Sequence, residues 1–296
     1  MASLNEIKSK IASVRSTLKV TSAMKMVASA KLHKAQAAIG NMLPYESHLN
    51  DILVSLISSG DETSSQAAPG ISYTLGREVS KVAIIAFASN QSLCGCYNSN
   101  AIKKVQAVVN EYKSAGIQEN CITIYSFGKK MSEAMRKAGF ESPHDFTGLS
   151  STPQYAGCSE LAQELMDGFL SGRFDKVDLV YNHFQSSASQ PSRRETYLPL
   201  SVGPETSGAA KSLTDYIIEP SREEVVKSLL VKVLRLKIYT VLLDTAAAEQ
   251  AARTIAMQTA TDNGNDMLDD LTLEYNKSRQ QKITNELLDI VSGTRQ

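Results

Sequence analysis

The sequence predicts an α/β protein: a long antiparallel coiled coil of the N- and C-terminal helices with an inserted Rossmann-like α/β domain. Three observations carry this prediction. From Arg222 to Ser292 nothing breaks a helix except Gly264. At both ends of the chain a narrow apolar seam repeats with alternating spacings of three and four residues. Between the ends, short apolar runs alternate with segments of helical length. The expected division is residues 1–58 for the N-terminal helix, 73–218 for the α/β domain and 219–296 for the C-terminal helix.

The N-terminal seam is Leu4, Ile7, Ile11, Val14, Leu18, Thr21, Lys25, Ala28, Leu32, Ala35, Ile39 and Met42. A period of about 3.5 residues marks a left-handed supercoil. Pro44 permits a kink or a new first turn, and Leu49, Leu53, Leu56 and Ile57 carry the stripe to about residue 58. Residues 59–72 (SGDETSSQAAPGIS) read as a linker, being small, polar and broken by Gly60, Pro69 and Gly70.

Lys81–Ala88 (KVAIIAFA) is a continuous apolar run suited to a buried strand. Asn98 or Ser99 can cap a helix from Ala101 to about Ser114. A second strand is expected at Cys121–Phe127 and a second helix at Lys129–Ala138, ended by Gly139. A third helix follows at Cys158–Leu170, a third strand at Val177–Phe184, and Glu195–Leu200 is a candidate fourth strand. Such alternation indicates βαβ units and a mostly parallel sheet. Residues 186–213 read as a loop-rich excursion, after which Pro220 closes the domain and Ser221 caps the last helix.

The C-terminal seam is Val226, Leu229, Val233, Leu236, Thr240, Leu243, Ala247, Gln250, Thr254, Met257, Thr261, Gly264, Leu268, Leu271 and Tyr275. Seventy helical residues would span roughly 105 Å, more than the diameter of any domain this chain could form. Two amphipathic helices covering a globular core are the competing reading. A seam of two residues per heptad, over such lengths, favours a coiled coil of the two termini.

Lys+Arg and Asp+Glu are equal at 31 each, so no global field draws the chain to nucleic acid or membrane. The local balance differs. Residues 1–34 carry Lys8, Lys10, Arg15, Lys19, Lys25, Lys31 and Lys34 against Glu6 alone, while the far end carries Asp262, Asp266, Asp269, Asp270 and Glu274. These are either complementary faces of paired helices or a basic collar that meets an acidic partner. Cys94, Cys96, Cys121 and Cys158 match no zinc or disulfide spacing and read as reduced thiols. Met1 leads into a polar, charged helix, so no signal peptide is expected, and no stretch approaches about 18 consecutive apolar residues.

Signals of chemistry are scarce. There is no GxxxxGK[ST] loop, and no GxGxxG follows the first strand. The histidines at 33, 48, 144 and 183 are scattered, away from any metal-ligand spacing. The one unusual segment is Ser89–Asn100 (SNQSLCGCYNSN), which links a strand to a helix where α/β sheets bind ligands. A turn that docks another chain explains it equally well. A nucleic-acid binder using the basic N-terminal helix, and a small α/β enzyme with helical dimerisation arms, remain as alternatives at this point. The first lacks aromatic interleaving, since residues 1–44 hold no Phe, Tyr or Trp. The second needs a ligand at Ser89–Asn100.

Three separated motifs carry a resemblance. Ser9–Gln36 (SKIASVRSTLKVTSAMKMVASAKLHKAQ) resembles the N-terminal signature of the ATP synthase gamma-subunit family, the rotary shafts of F-type ATP synthases. Glu249–Gly293 resembles that family's C-terminal signature nearly throughout, and LCGCYNSN resembles its LCGGYN-type turn. Together they make the likeness effectively full length. The chain departs from the family at Asn90, Gln91 and Ser92, where an Asp-Arg-Gly triplet is usual, and at Cys96, where a second glycine is usual. That puts in doubt a docking role for the loop's charges. Photosynthetic members carry a cysteine pair in an inserted segment. Residues 186–213 hold no cysteine, so thiol gating is not expected.

The resemblance implies a non-catalytic rotor with no cofactor or metal of its own. Its coiled coil would sit in the cavity of a hexamer of alternating alpha and beta subunits. Its α/β domain would meet the epsilon subunit and the ring of c subunits, with delta elsewhere in the complex. It implies contact with the membrane only through that ring, at the cytoplasmic face of a bacterial inner membrane. By motif match, Met24 and Lys25 lie where the shaft meets the moving lobe of a beta subunit, with Lys19, Lys31 and Lys34 adding positive charge. Arg253, Arg279, Gln280 and Thr284 match the family's upper contact with a beta loop, and Glu286 lies close to it. Leu287, Leu288, Ile290 and Val291 extend past the shorter N-terminal helix as an apolar bearing.

Overall fold

The computed structural model describes residues 3–58, 73, 76–200, 218–219 and 221–293. The expected linker at 59–72, the stretch 201–213 of the excursion and Pro220 lie outside the described residues. The elements are α1 (Leu4–Ser58), β1 (Val82–Phe87), α2 (Tyr97–Ser114), β2 (Ile122–Phe127), α3 (Lys129–Lys137), α4 (Thr147–Ser151), α5 (Tyr155–Leu170), β3 (Lys176–Asn182), β4 (Ser192–Leu198) and α6 (Arg222–Gly293). The chain divides into two compact units, one of Met1–Ala30 with Arg253–Gln296 and one of Lys31–Ala252.

In the first unit, α1 and α6 pair antiparallel along the expected seam. Leu4, Ile7, Ile11, Val14, Leu18, Thr21, Lys25 and Ala28 are shielded from solvent, and among residues 3–30 only Ser22 joins them. On α6, among the residues from Thr261 onward whose side chains are described, which excludes Val291 and Ser292, only Thr261, Gly264, Leu268, Leu271, Tyr275 and Ser278 are shielded. Two contacts fix the register. The Thr21 and Thr261 hydroxyls lie 3.0 Å apart. A Cβ on Gly264 would sit 2.7 Å from Leu18 Cδ2, so the glycine forms a hole that Leu18 fills. This register brings Leu4 opposite about Ser278, which is where shielding on α6 ends. Ser3 and Glu6 start α1 with a reciprocal cap, Glu6 N–H to Ser3 Oγ at 3.3 Å and Ser3 N–H to Glu6 Oε2 at 2.9 Å.

Pro44 begins no new element, for α1 runs through it. The residue whose carbonyl loses its bond, Gly40, is exposed, so water replaces the missing partner.

The second unit is built on a four-stranded sheet of order β2-β1-β3-β4, with β1 parallel to β2 and β3, and β4 antiparallel to β3. The expected mostly parallel sheet is therefore mixed at one edge, and its fourth strand starts at Ser192, three residues before the expected Glu195. Every residue of β1 is buried, which explains its unbroken apolar run. Val82, Ile84 and Ala86 pack with α2 and α3 through Val105, Val109, Met131 and Met135. Ala83, Ile85 and Phe87 face the opposite layer, where Leu161 and Leu165 of α5 meet Leu230, Leu234 and Ile238 of α6, together with Leu53 of α1. Each such fully buried large side chain contributes about 1.5–3 kcal/mol. α1 and α6 also pair here, through Leu32, Ile39, Leu243, Ala247 and Ala251. Arg222 Nε donates to Leu56 O at 3.0 Å near the end of α1. Ser221 caps α6 as expected, its Oγ accepting from Glu224 N–H at 3.3 Å.

Candidate functional site

The loop that follows β1 is the natural place to look for a ligand, since open α/β sheets bind at the carboxyl ends of their strands. Its expected cap is different. The helix begins at Tyr97 with Cys96 before it, and Asn98 turns back to accept from Ser89 N–H at 3.0 Å. Gly128 adopts φ +89, and a Cβ there would lie 2.1 Å from Ala88 O, so only glycine lets the ends of β1 and β2 approach this closely.

Two amides at the start of α3, which could have held an anion, are already used. Lys129 N–H donates to Asn90 Oδ1 at 2.9 Å and Lys130 N–H to Ser89 O at 3.2 Å. Asn90 Nδ2 donates to Thr147 O at 2.9 Å. The chain's own loop thus fills the position an anion would take.

The crevice between β1 and β3 is filled by α6. Cys94 and Tyr97 pack on Ala248, flanked by Phe184 and Ala252. Tyr97 OH donates to Thr245 O at 3.1 Å. Asp244 Oδ2 lies 2.7 Å from His183 Nδ1, and its Oδ1 accepts from Phe184 N–H at 3.0 Å. The loop docks the molecule's own helix, where the expectation was of a ligand site or of a turn that docks another chain.

Beside it, a cleft of about 640 Å³ lies between α1, β4 and α6. Lys237 Nζ sits there between Glu46 Oε1 at 3.2 Å and Glu195 Oε1 at 2.7 Å. Burial alone would lower the pKa of that ammonium, but the two carboxylates hold it above the ordinary lysine value. Tyr181 OH donates to Glu195 Oε2 at 3.1 Å. His183 and Asp244, which also line this cleft, pair with one another. Among the described residues no group of three or more His, Cys, Asp or Glu side chains could hold a metal ion. No disulfide joins any of the four cysteines, and burial pushes the Cys158 thiol up to about 12, far from a reactive thiolate.

The residues singled out for partner contact lie on the paired helices. Lys19, Met24, Arg279, Gln280, Thr284 and Glu286 are exposed in the first unit, and Lys31 is exposed in the second. Lys25 and Arg253 are half-buried. Thr284 Oγ1 donates back to Gln280 O at 2.9 Å, and Glu286 lies 3.7 Å from Lys282. No ion pair joins Lys8, Lys10, Arg15, Lys19 or Lys25 to Asp262, Asp266, Asp269, Asp270 or Glu274. The register nonetheless sets Lys8 level with Glu274 and Arg15 beside Asp266, so the two charged faces attract one another at longer range. Sequence reasoning missed Val20, Met26 and Val27, which lie exposed around Met24, with Met26 at 64%. Their signal was available: they are apolar residues outside the three–four alternation. Leu287, Leu288 and Ile290 are exposed as expected, and Ile283 joins them at i−4 from Leu287.

Comparison with known proteins covers the whole chain. A family model described as ATP synthase matches residues 3–295. The ATP synthase gamma chain of Phocaeicola vulgatus is 53% identical over 295 residues, covering 99% of both chains. That of Bacteroides thetaiotaomicron is 50% identical over 306 residues, covering 100% of both. Among solved structures, a chain of the Euglena gracilis mitochondrial ATP synthase (OSCP/F1/c-ring, rotational state 3) superposes with a TM-score of 0.64 at 18% identity, over 99% of this chain and 93% of that one. A chain of the Tetrahymena thermophila mitochondrial ATP synthase central stalk and c-ring gives 0.56 at 18% identity, over 81% and 99%. At such identities the likeness is one of fold.

Proposed function

This chain belongs to the ATP synthase gamma-chain family, and we propose that it works as the central rotor shaft of a proton-driven F-type ATP synthase. It makes and breaks no bonds. The nucleotide sites belong to the alpha and beta subunits, whose hexamer receives the coiled coil. The epsilon subunit and the c-ring take the α/β region, and delta belongs to the same complex. Proton flow turns the ring, the ring turns this chain, and the asymmetric shaft drives each beta subunit in turn through its binding states. A charge crossing a membrane releases about 2.3 kcal/mol per 100 mV. One such step is too small to release a tightly held ATP, so a rigid body must sum several.

The observation that carries this reading is the crevice occupied by α6. Where a related sheet would hold a ligand, this one holds a helix that shares its seam with α1. The fold is therefore built to grip a rod. Exposed polar side chains on that rod then become contacts. We assign Met24, Lys25, Lys19 and Lys31 to an acidic, mobile lobe of beta, and Arg253, Arg279, Gln280, Thr284 and Glu286 to a second beta loop. The exposure of most of them supports that assignment. Residues 1–58 and 219–296 supply the rod and 73–218 the body that grips it. Among the described residues no helix is long and apolar enough to cross a membrane. We assign the chain a peripheral position at the cytoplasmic face of the inner membrane, reached through the c-ring.

Co-purification tests the proposal. A tagged copy expressed in its native cell should bring down alpha and beta subunits in a three-to-three-to-one ratio. Recovery of the chain alone, or with nucleic acid, would count against it.

A further inference from the structure

We propose that the stretch of α6 from Leu234 to Thr245 is the torque joint of the molecule. There a set of directional polar contacts, led by Asp244 against His183 and Lys237 against Glu46 and Glu195, keeps the helix from turning about its own axis inside the α/β body. The proposal rests on the shaft reading above and names the residues through which the body delivers its load.

Apolar packing alone is poorly suited to that task. Its free energy follows the area removed from water and has little dependence on direction. The face of α6 that meets the crevice is lined by Ala248 and Ala252, which offer no long knob to catch, and its larger side chains Leu234, Ile238 and Val241 pack into the core beneath the sheet. Hydrogen bonds weaken steeply as their angle is lost, so they resist rotation and sliding of the helix.

Five anchored positions fall within this stretch. Leu234 O accepts from Tyr197 OH of β4 at 3.0 Å. Arg235 Nη2 donates to Gln163 Oε1 of α5 at 2.8 Å. Lys237 bridges Glu46 of α1, at 3.2 Å, and Glu195 of β4, at 2.7 Å. Asp244 uses both carboxylate oxygens on the segment that leaves β3, at 2.7 Å to His183 Nδ1 and 3.0 Å to Phe184 N. Thr245 O accepts from Tyr97 OH of α2 at 3.1 Å.

The anchors span roughly 17 Å of helix and about half its circumference. A set spread in this way opposes rotation in either sense. Those at Leu234 and Thr245 grip backbone carbonyls, so load enters the helix frame directly and does not have to pass through a flexible side chain. The outer ends are held as well. Asn182 Nδ2 donates to Tyr97 O at 3.0 Å, and Ser192 Oγ donates to Asn182 Oδ1 at 2.6 Å, tying α2, β3 and β4 into one frame.

The test uses the assembled complex with the alpha and beta subunits fixed to a surface and a bead on the α/β body. Asp244→Asn and Lys237→Met are compared with the unsubstituted complex and with the conservative Lys237→Arg. The readouts are the angular width of the bead during each dwell and the protons pumped per ATP hydrolysed. Loss of one charged hydrogen bond raises the population of released helix roughly tenfold. Both variants are therefore expected to widen the dwell and lower the protons pumped per ATP while ATP hydrolysis continues. The double variant should exceed either alone, and Lys237→Arg should restore the narrow dwell. An unchanged width and unchanged pumping, together with a lowered melting temperature, would reduce these residues to a structural role and overturn the proposal while leaving the shaft reading in place. An unsubstituted complex whose bead does not turn would overturn the shaft reading and this proposal with it.

Discussion

Gly264 offers the sharpest check on how the paired helices meet. In a helix interior, glycine-to-alanine substitution contributes about 1 kcal/mol of stability through backbone propensity. Here the new Cβ would lie 2.7 Å from Leu18 Cδ2 and 3.2 Å from its Cγ. Leu18 must then move or the helices must part, at a cost of about 1–3 kcal/mol. The two terms oppose each other, so Gly264→Ala alone should range from neutral to about 2 kcal/mol destabilising. Once Leu18→Ala has emptied the site, the same change should stabilise by about 1 kcal/mol. The coupling between the two positions is thus about 1–3 kcal/mol, well above the few tenths seen for residues that do not touch. Local opening free energies from amide hydrogen exchange over residues 14–28 and 254–271, measured for all four members of the cycle in the assembled complex, give that number directly. Additive effects would mean that Leu18 does not fill the hole at Gly264, and the register of the pair would be wrong.

Other consequences follow from the same structure. Replacing Arg279 and Gln280 together with alanine should weaken coupling or assembly while the circular dichroism of the isolated chain stays unchanged. Normal ATP synthesis by the reconstituted variant would remove both from the contact list. Met24→Lys adds a charge next to Lys25 and among exposed apolar side chains, and proton pumping per ATP in inverted vesicles should fall. Arg194→Met strips the guanidinium from Asp178, which is fully buried and lies 2.7 Å from it. Asp178 then keeps only the Tyr112 hydroxyl and, at 4.0 Å, Lys176; breaking a buried pair costs up to about 3–5 kcal/mol, readable as a shift of the denaturant midpoint. Asp175 supplies a pH dependence. Burial pushes its pKa up, but bonds from the Ser80 hydroxyl and the Lys81 and Ser80 amides outweigh that and hold the group below the ordinary carboxylate value. Its contribution is therefore complete above about pH 4 and is lost as acid is added through the lowered folded value. Asp175→Asn should flatten the acid limb of the stability profile, and an unchanged limb would contradict this.

Much of the fold was readable because two of its signals need little context. The seam requires only that residues three and four apart be small or apolar, and between Leu4 and Ala28 and between Thr261 and Tyr275 the shielded residues follow it except at Lys25, which is neither, and Ser22, which lies off it. β1 is buried on both faces, so its six residues are apolar throughout. The errors lie where tertiary contact decides. Asn98 looks like a helix cap, yet its oxygen is needed by Ser89 N–H across the loop. Pro44 looks like a boundary, yet its lost bond faces water. The start of β4 is polar because an edge strand has a solvated side, so Ser192 and Arg193 gave no apolar signal. Above all, nothing in the order of residues said that Ala248 would occupy the crevice next to Cys94 and Tyr97. Sequence shows that α6 is apolar on many sides between Leu230 and Ala252, but not which surface answers each side.

The most direct test of the central claim is to watch the chain turn. Alpha and beta subunits are fixed to glass, a bead is attached to the α/β body through the exposed Cys96, and ATP is added. The shaft account predicts stepwise rotation in one direction that stops when ATP is removed. A bead that stays still while the same complexes hydrolyse ATP would contradict it.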